Sequence, residues 1–336
     1  MGTIDDKRLH DEAIVIDAVC PLMMDRQYID WWIEGGVTAA GPTVGAFQRA
    51  GPTLRVLGDW LRAIERDPRL VLVRRAADFA AAKAARRLGV VFHFQGTEPI
   101  EDDLNLIDAY KALGVGMIQL AYNVKNRVGD GCEERTDAGL STFGLQVIER
   151  LNEARIVVDC SHTGYRTTMD AIEASSRPVV FSHSNAKAVR DSPRNITDEQ
   201  IRAAAATGGL IGIVGFPPFV SASPRPTLDE FVDHIDHVVG LVGDDHVGLG
   251  LDYYKGQAPV VSDEESMRMY EGRIAAGDWR PESYPPPPHH FPDGIATPRT
   301  LRNLTRRLLE RGYGEEAMKK ILGGNWVRVF REVWGE

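Results

Sequence analysis

The sequence predicts an α/β protein, a (β/α)8 TIM barrel with a long irregular insertion after its eighth strand. Three observations carry that expectation. Short apolar runs alternate with helix-like segments along nearly the whole chain of 336 residues, the order that builds parallel βαβ units. Eight such runs precede residue 252, the number a closed barrel needs. Two successive runs, IVVDCSHTG and PVVFSHSNA, each end in Ser-His, and strand ends of a barrel share the face where its chemistry sits. Barrels of about 250 residues or more commonly form one unit, so residues 1–336 are expected to be a single domain.

Taken in order, residues 3–12 read as a short polar helix and residues 13–19 (AIVIDAV) as the first strand, ending at Cys20-Pro21. Residues 23–34 (MMDRQYIDWWIE) suggest a loop or short helix over the mouth. Residues 35–40 fit the second strand, and a helix is expected over 44–66, closed by Asp67-Pro68. Residues 70–73 form an extra apolar element, and 76–88 an alanine-rich helix of strong intrinsic propensity. In VVFHFQG, the third strand, two-residue periodicity puts His93 and Gln95 on one face. A helix over 102–113 and a fourth strand over 115–121 come next, ending at Tyr122-Asn123.

The charged, Gly-rich stretch NVKNRVGDGCEERTDAGL reads as a long loop, and 142–154 as an amphipathic helix. The two Ser-His runs are the fifth and sixth strands. Thr197-Asp198-Glu199 starts a helix to residue 206. Residues 210–216 and 246–251 are the seventh and eighth strands, with a helix over 227–241 between them, and Asp252 ends the last. Residues 253–298, with PPPPHHFP, are too long for an ordinary connection and read as a lid. Closing helices are expected over 298–311 and 315–322 before GGNWVRVFREVWGE ends the chain.

Composition narrows the function classes. Apolar residues make up 43% and charged residues 26%, as in a soluble globular domain. A net charge of −9 without a basic run argues against a nucleic-acid groove. No apolar stretch has membrane-spanning length, and the polar, acidic start is unlike a secretory signal, so a cytoplasmic setting without membrane contact is expected. Cys20, Cys132 and Cys160 lack paired spacing and read as reduced thiols.

The candidate chemistry gathers at the strand ends. His162 and His183 are candidate ligands of one metal ion, since neutral imidazole suits zinc; each alone could equally be hydrogen-bonded scaffolding. Asp252 is placed to be a metal ligand, a proton shuttle toward a metal-bound water, or simply a helix cap. Arg194 could clamp a substrate carboxylate, with Asn195 beside it, or be a surface Arg with a helix-entry Asn. Gln95 could offer a neutral ligand oxygen and Tyr122 a donor to an oxyanion, or both could line the core. His93 reads as a satisfied core histidine, His234 and His237 as structural, and His289 and His290 as exposed loop unless the lid folds over the site.

The order VDCSH, PVVFSHS, RN, HIDHVVGLVGDDHVGLGLD, NLTRRLLERGY and ILGGNWVRVFREVWGE resembles the membrane (renal) dipeptidase family of metal-dependent amidohydrolase-type barrels. The resemblance implies a site of two zinc ions. One is held by a His-x-Asp of the first strand with the last-strand Asp, the other by the two strand-end histidines, and a Glu of the third strand bridges them. His162 and His183 match the histidines, Asp252 the last-strand aspartate and Arg194 the carboxylate-binding arginine. The first-strand ligands are absent from Asp17-Ala18-Val19-Cys20-Pro21-Leu22, Gln95 replaces the bridging Glu, and Tyr122 replaces a substrate-contacting His. The chain thus resembles a divergent bacterial subgroup.

With those ligands gone, the expected site holds one zinc or similar divalent ion at His162, His183 and Asp252, with Gln95 nearby. The expected activity is hydrolysis of an amide bond in a small, dipeptide-like carboxylate by metal-bound water, in a homodimer. Asp252 would move the proton, and Arg194, Asn195 and Tyr122 would hold the substrate. Lyase or deaminase chemistry, or a barrel that binds without turnover, remain open on the residues alone.

Overall fold

A computed structural model describes residues 5–336; residues 3 and 4 of the expected first helix lie outside the described residues, and that helix runs Asp6–Glu12. Eight parallel strands form a ring. β1 (Ile16–Asp17) pairs with β2 (Ala39–Ala40, resumed at Thr43–Gly45), and β2 with β3 (Leu88–Val90 and Phe92–Phe94). β4 (Val115–Gln119), β5 (Val157–Asp159) and β6 (Val179–Val180) continue it, while β7 (Ile211–Ile213) pairs with β8 (Val247–Leu249).

The two remaining seams close through a few backbone bonds. Between β6 and β7, Phe181 N–H donates to Leu210 O at 3.0 Å and Gly212 N–H to Phe181 O at 2.7 Å. Between β8 and β1, Ala18 N–H donates to Leu249 O at 3.1 Å and Asp252 N–H to Val19 O at 2.9 Å. The predicted barrel is therefore closed, with helices returning the chain between strands.

Local chemistry sets the helix ends. Thr197 and Gln200 make a reciprocal capping box at the head of Asp198–Ala206, and Thr227 and Glu230 do the same for Leu228–Val242. The helix expected over 44–66 begins instead at Ala50, because Thr43–Gly45 extends β2 alongside His93 and Phe94. The helix expected over 76–88 stops at Ala84, since Leu88 already pairs into β3 and with the outer strand Leu70–Leu72.

The insertion over 253–298 is not irregular throughout. It holds the helix Asp263–Ala276, capped by Ser262 and ended by Gly277 at φ 77°, with three acids in its first turn. Gln257–Ala258 pairs with His289–His290 at its base.

At the other end of the barrel the chain terminus forms a plug. The helix Asn325–Trp334 buries Trp326, Phe330 and Trp334 against Ile16, Val91, Met117, Val157 and Val180. Trp326 Nε1 donates to Leu249 O at 3.0 Å and Trp334 Nε1 to Gly116 O at 2.9 Å, so each buried indole keeps a partner. With the floor filled, the opposite rim is where a ligand can enter.

Candidate active site

The rim is made by the turns that leave β4, β5, β6 and β8. Asn123, His162 and Asp252 hold φ of 55°, 64° and 61° there. Left-handed backbone is uncommon outside glycine and concentrates where a site demands it. These turns aim the side chains across the mouth rather than along the strands.

His162 and His183 meet. Their Nε2 atoms lie 2.8 Å apart, and both rings are buried. The Nδ1 partners fix the tautomers. Asn123 Nδ2 donates to Asp278 O at 2.8 Å, leaving Oδ1 to accept from His162 Nδ1–H at 2.7 Å. The Ser182 hydroxyl donates to the Asp159 carboxylate, so its oxygen accepts from His183 Nδ1–H at 2.7 Å.

Both Nε2 atoms therefore turn lone pairs toward one another. Burial, then the nearby Arg194 charge, holds each imidazole well below its ordinary range, which disfavours settling the conflict with a proton. Two buried lone pairs in contact are a donor set for a cation. At 2.8 Å they stand closer than the roughly 3.3 Å that two nitrogens keep around a tetrahedral zinc ion, so the rings must part by about 0.5 Å to seat one.

The rest of the expected set is only partly assembled. Gln95 Nε2 lies 3.3 Å from His183 Nε2, so this side chain does reach the pair. Asp252 stands on the same rim but is not grouped with the histidines: among the described residues no three His, Cys, Asp or Glu side chains are close enough to hold a metal ion. Burial pushes Asp252 up to about 7, Arg194 opposing and Asp17 adding to the rise. Asp17, where the resemblance has no ligand to offer, accepts from Trp32 Nε1 at 3.1 Å and Leu251 N–H at 2.8 Å. Burial pushes it up to about 6.

Arg194 is buried, with Nη2 donating to His183 O at 3.1 Å and its guanidinium 5.1 Å from the Phe219 ring centre. Among the described residues its Nε has no hydrogen-bond partner, so a donor remains for a ligand. Asn195 spends its amide nitrogen on Arg190 O and Phe219 O, each at 2.8 Å, which ties its own loop down. Tyr122 stacks on His162, and its hydroxyl accepts from Trp279 Nε1 at 2.9 Å.

His93 is less satisfied than expected. Its Nε2 meets Gly41 O at 3.1 Å, but Nδ1 is buried without a partner among the described residues, and burial lowers the ring to about 3. His234 bonds Val220 O and His237 bonds Asp198, as structural residues do. His289 is buried rather than exposed, held between the Tyr254 hydroxyl and Pro285 O.

Four rim residues carry no signal of their own in the sequence. Trp279 and Tyr284 of the insertion stack in parallel at 4.5 Å over the mouth, Asn123 orients His162, and Glu133 is buried with neither oxygen paired among the described residues. Burial raises Glu133, opposed by Ser283 and Arg194. Of the four, Asn123 alone sits at a predicted strand end. The other three lie in segments whose path depends on tertiary packing.

The fold and its rim define a β/α-barrel protein with a candidate active site at its strand ends. Residues 46–273 and 287–334 match the family model described as Membrane dipeptidase (Peptidase family M19), and the chain belongs to that family. A solved amidohydrolase from Pseudomonas aeruginosa is 32% identical and superposes with a TM-score of 0.88, covering 99% of this chain and 100% of that one. An uncharacterized protein in the pqqA 5' region of Klebsiella pneumoniae is 29% identical over 276 residues, 79% of this chain and 90% of that one. Dipeptidase 3 of Rattus norvegicus is 25% identical over 256 residues, 74% of this chain but 46% of its own length. Among the described residues no helix is long and apolar enough to cross a membrane.

Proposed function

We propose that this chain hydrolyses the amide bond of a small, carboxylate-bearing, dipeptide-like substrate with the help of one divalent ion, zinc by preference. The single observation that carries the reading is the pair of buried imidazole lone pairs, 2.8 Å apart, on the barrel rim. His162 and His183 would hold the ion, with Gln95, once its amide turns its oxygen rather than its nitrogen to the pair, and Asp252 as further donors. The chemistry such an ion supplies is polarisation of the scissile carbonyl and a water acidified toward neutral pH.

The protein's own residues account for the rest. Arg194 offers its unpartnered Nε–H to the substrate carboxylate from a buried position, where a charged pair is strong. Asp252, raised to about 7, can take a proton at neutral pH and return it to the leaving amine. Tyr122, Trp279 and Tyr284 roof the mouth and exclude water. A homodimer in the cytoplasm is the setting this reading assumes.

The incomplete ligand set, two histidines without a third His, Cys, Asp or Glu grouped with them among the described residues, favours a second reading, a family member that acts on another small molecule by lyase or deaminase chemistry. Elemental analysis of purified protein, with a dipeptide panel assayed before and after chelation, separates the two. Zinc near one equivalent and chelator-sensitive dipeptide hydrolysis support the first. His183→Ala should then lose both metal and turnover, and retained turnover in that variant would rule the mechanism out.

A further inference from the structure

The insertion over 253–298 touches His162 through two routes. Trp279 Nε1 donates to the Tyr122 hydroxyl, and the Tyr122 ring lies on the His162 ring with centroids 4.0 Å apart. On the other side, Asn123 Nδ2 donates to Asp278 O at 2.8 Å and to the Tyr284 hydroxyl at 3.0 Å. Asn123 Oδ1 receives His162 Nδ1–H at 2.7 Å.

A side-chain amide has a donor end and an acceptor end, and turning it over exchanges them. Asp278 O is a backbone carbonyl and can only accept. While the insertion covers the mouth, that carbonyl holds the Asn123 nitrogen outward and so faces its oxygen to His162. His162 must then carry its proton on Nδ1 and a lone pair on Nε2. With the insertion lifted, only the weak Cys132 Sγ–H contact to Oδ1 at 3.7 Å still favours that orientation, so the amide can turn over, present Nδ2–H to His162 Nδ1, and drive the proton to Nε2. In that tautomer Nε2 points N–H at His183 and cannot be a ligand.

We propose that Asn123 is a positioning residue through which closure of the 253–298 segment selects the metal-ligating tautomer of His162. Lid closure and ion capture are then one event: the ion is held tightly only under a closed lid, and an open lid weakens its own metal site. The proposal rests on the metal reading above but concerns the metal-free protein as well.

The experiment uses the full chain labelled with 15N-histidine and stripped of metal. Long-range 1H–15N spectra report the His162 tautomer, assigned by its loss in His162→Gln, and Zn2+ titration reports affinity. Wild type should show the Nδ1–H tautomer. Asn123→Leu, which removes both ends of the amide, should move His162 toward Nε2–H and weaken Zn2+ binding about 10–100-fold, the usual cost of losing a partner behind a ligand. Asn123→Asp keeps the acceptor but repels Asp278 O; it should retain the Nδ1–H tautomer while cleavage by added protease within 253–298 rises.

Should Asn123→Leu fold poorly, the double variant Trp279→Ala/Tyr284→Ala loosens the lid with Asn123 intact, and a mixed His162 tautomer is expected. An Nδ1–H tautomer unchanged in both Asn123→Leu and the lid variant overturns the proposal. A tautomer that shifts in the variants as expected, with wild-type protein that takes up no Zn2+, overturns the metal reading alone.

Discussion

The ring of Tyr122 lies on the imidazole of His162, centroids 4.0 Å apart and planes 25° from parallel. The resemblance places a substrate-contacting His here, and this chain has put a ring that stacks and a hydroxyl that accepts from the lid's Trp279 at 2.9 Å. Tyr122→Phe keeps the stack and strands the Trp279 N–H, a loss of about 1–3 kcal/mol for a buried donor. Closed lid should become less populated, so protease cleavage inside 253–298 should speed up on the order of tenfold, measured by gel or mass spectrometry. An unchanged cleavage rate would show that the hydroxyl does not anchor the lid.

Arg194 supplies the second prediction. Its guanidinium is buried, braced by His183 O at 3.1 Å, and packed on Phe219, so its fork direction is fixed. Arg194→Lys keeps the charge but loses the planar fork. Hydrolysis of a dipeptide should fall in kcat/KM by about two decades, about 3 kcal/mol, as for truncating one partner of a buried charged pair. The matching dipeptide amide, which lacks the carboxylate, should lose far less. Equal losses on both substrates would mean that Arg194 does not read the carboxylate.

These two residues mark what the sequence could and could not disclose. Strand ends are local: the Ser-His runs and Asp252 announced a rim because apolar periodicity stops there, and the structure places all three on it. The pairing of Nε2 atoms depends on Asn123, whose role is set by Asp278, 155 positions away. No periodicity carries that. The helix Asp263–Ala276 was hidden by its acidic, weakly amphipathic composition and by the prolines after it, and the start of the 50–66 helix by the apolar β2 residues before it. The terminal helix read as a tail because its partners are spread over six strands.

Acid sensitivity arises at His234. The ring is buried, Nε2 bonded to Val220 O at 3.0 Å and Nδ1 accepting from Ala186 N–H, and burial lowers it from 6.5 to about 4. A depressed histidine binds its proton more readily unfolded than folded. Stability from this group is therefore complete above about pH 6.5 and drains away as pH falls toward 4, by about 3 kcal/mol in all. His10 and His93, also lowered by burial, act with the same sign. Urea unfolding of His234→Gln at pH 7 and pH 4 should show a smaller acid loss than wild type. An identical loss would place the sensitivity elsewhere.

The barrel floor gives the last prediction, one that separates packing from chemistry. Gly116 lies in β4 where the terminal helix crosses, and a Cβ added there would stand 2.2 Å from Trp334 Cζ2. Trp334 cannot simply step aside. Its indole donates to Gly116 O at 2.9 Å and its ring stacks on Phe330 with centroids 4.1 Å apart. Gly116→Ala should therefore cost about 3 kcal/mol in urea unfolding, overpacking plus a strained hydrogen bond. Trp334→Leu alone leaves a cavity and should cost a similar amount. The added methyl occupies part of the space the smaller side chain vacates, so the double variant should be more stable than the sum of the two predicts, by at least about 1 kcal/mol. Since the rim is at the opposite end, all three proteins should keep wild-type kcat/KM at about 25 °C while folded. Strict additivity would mean that the two side chains do not meet.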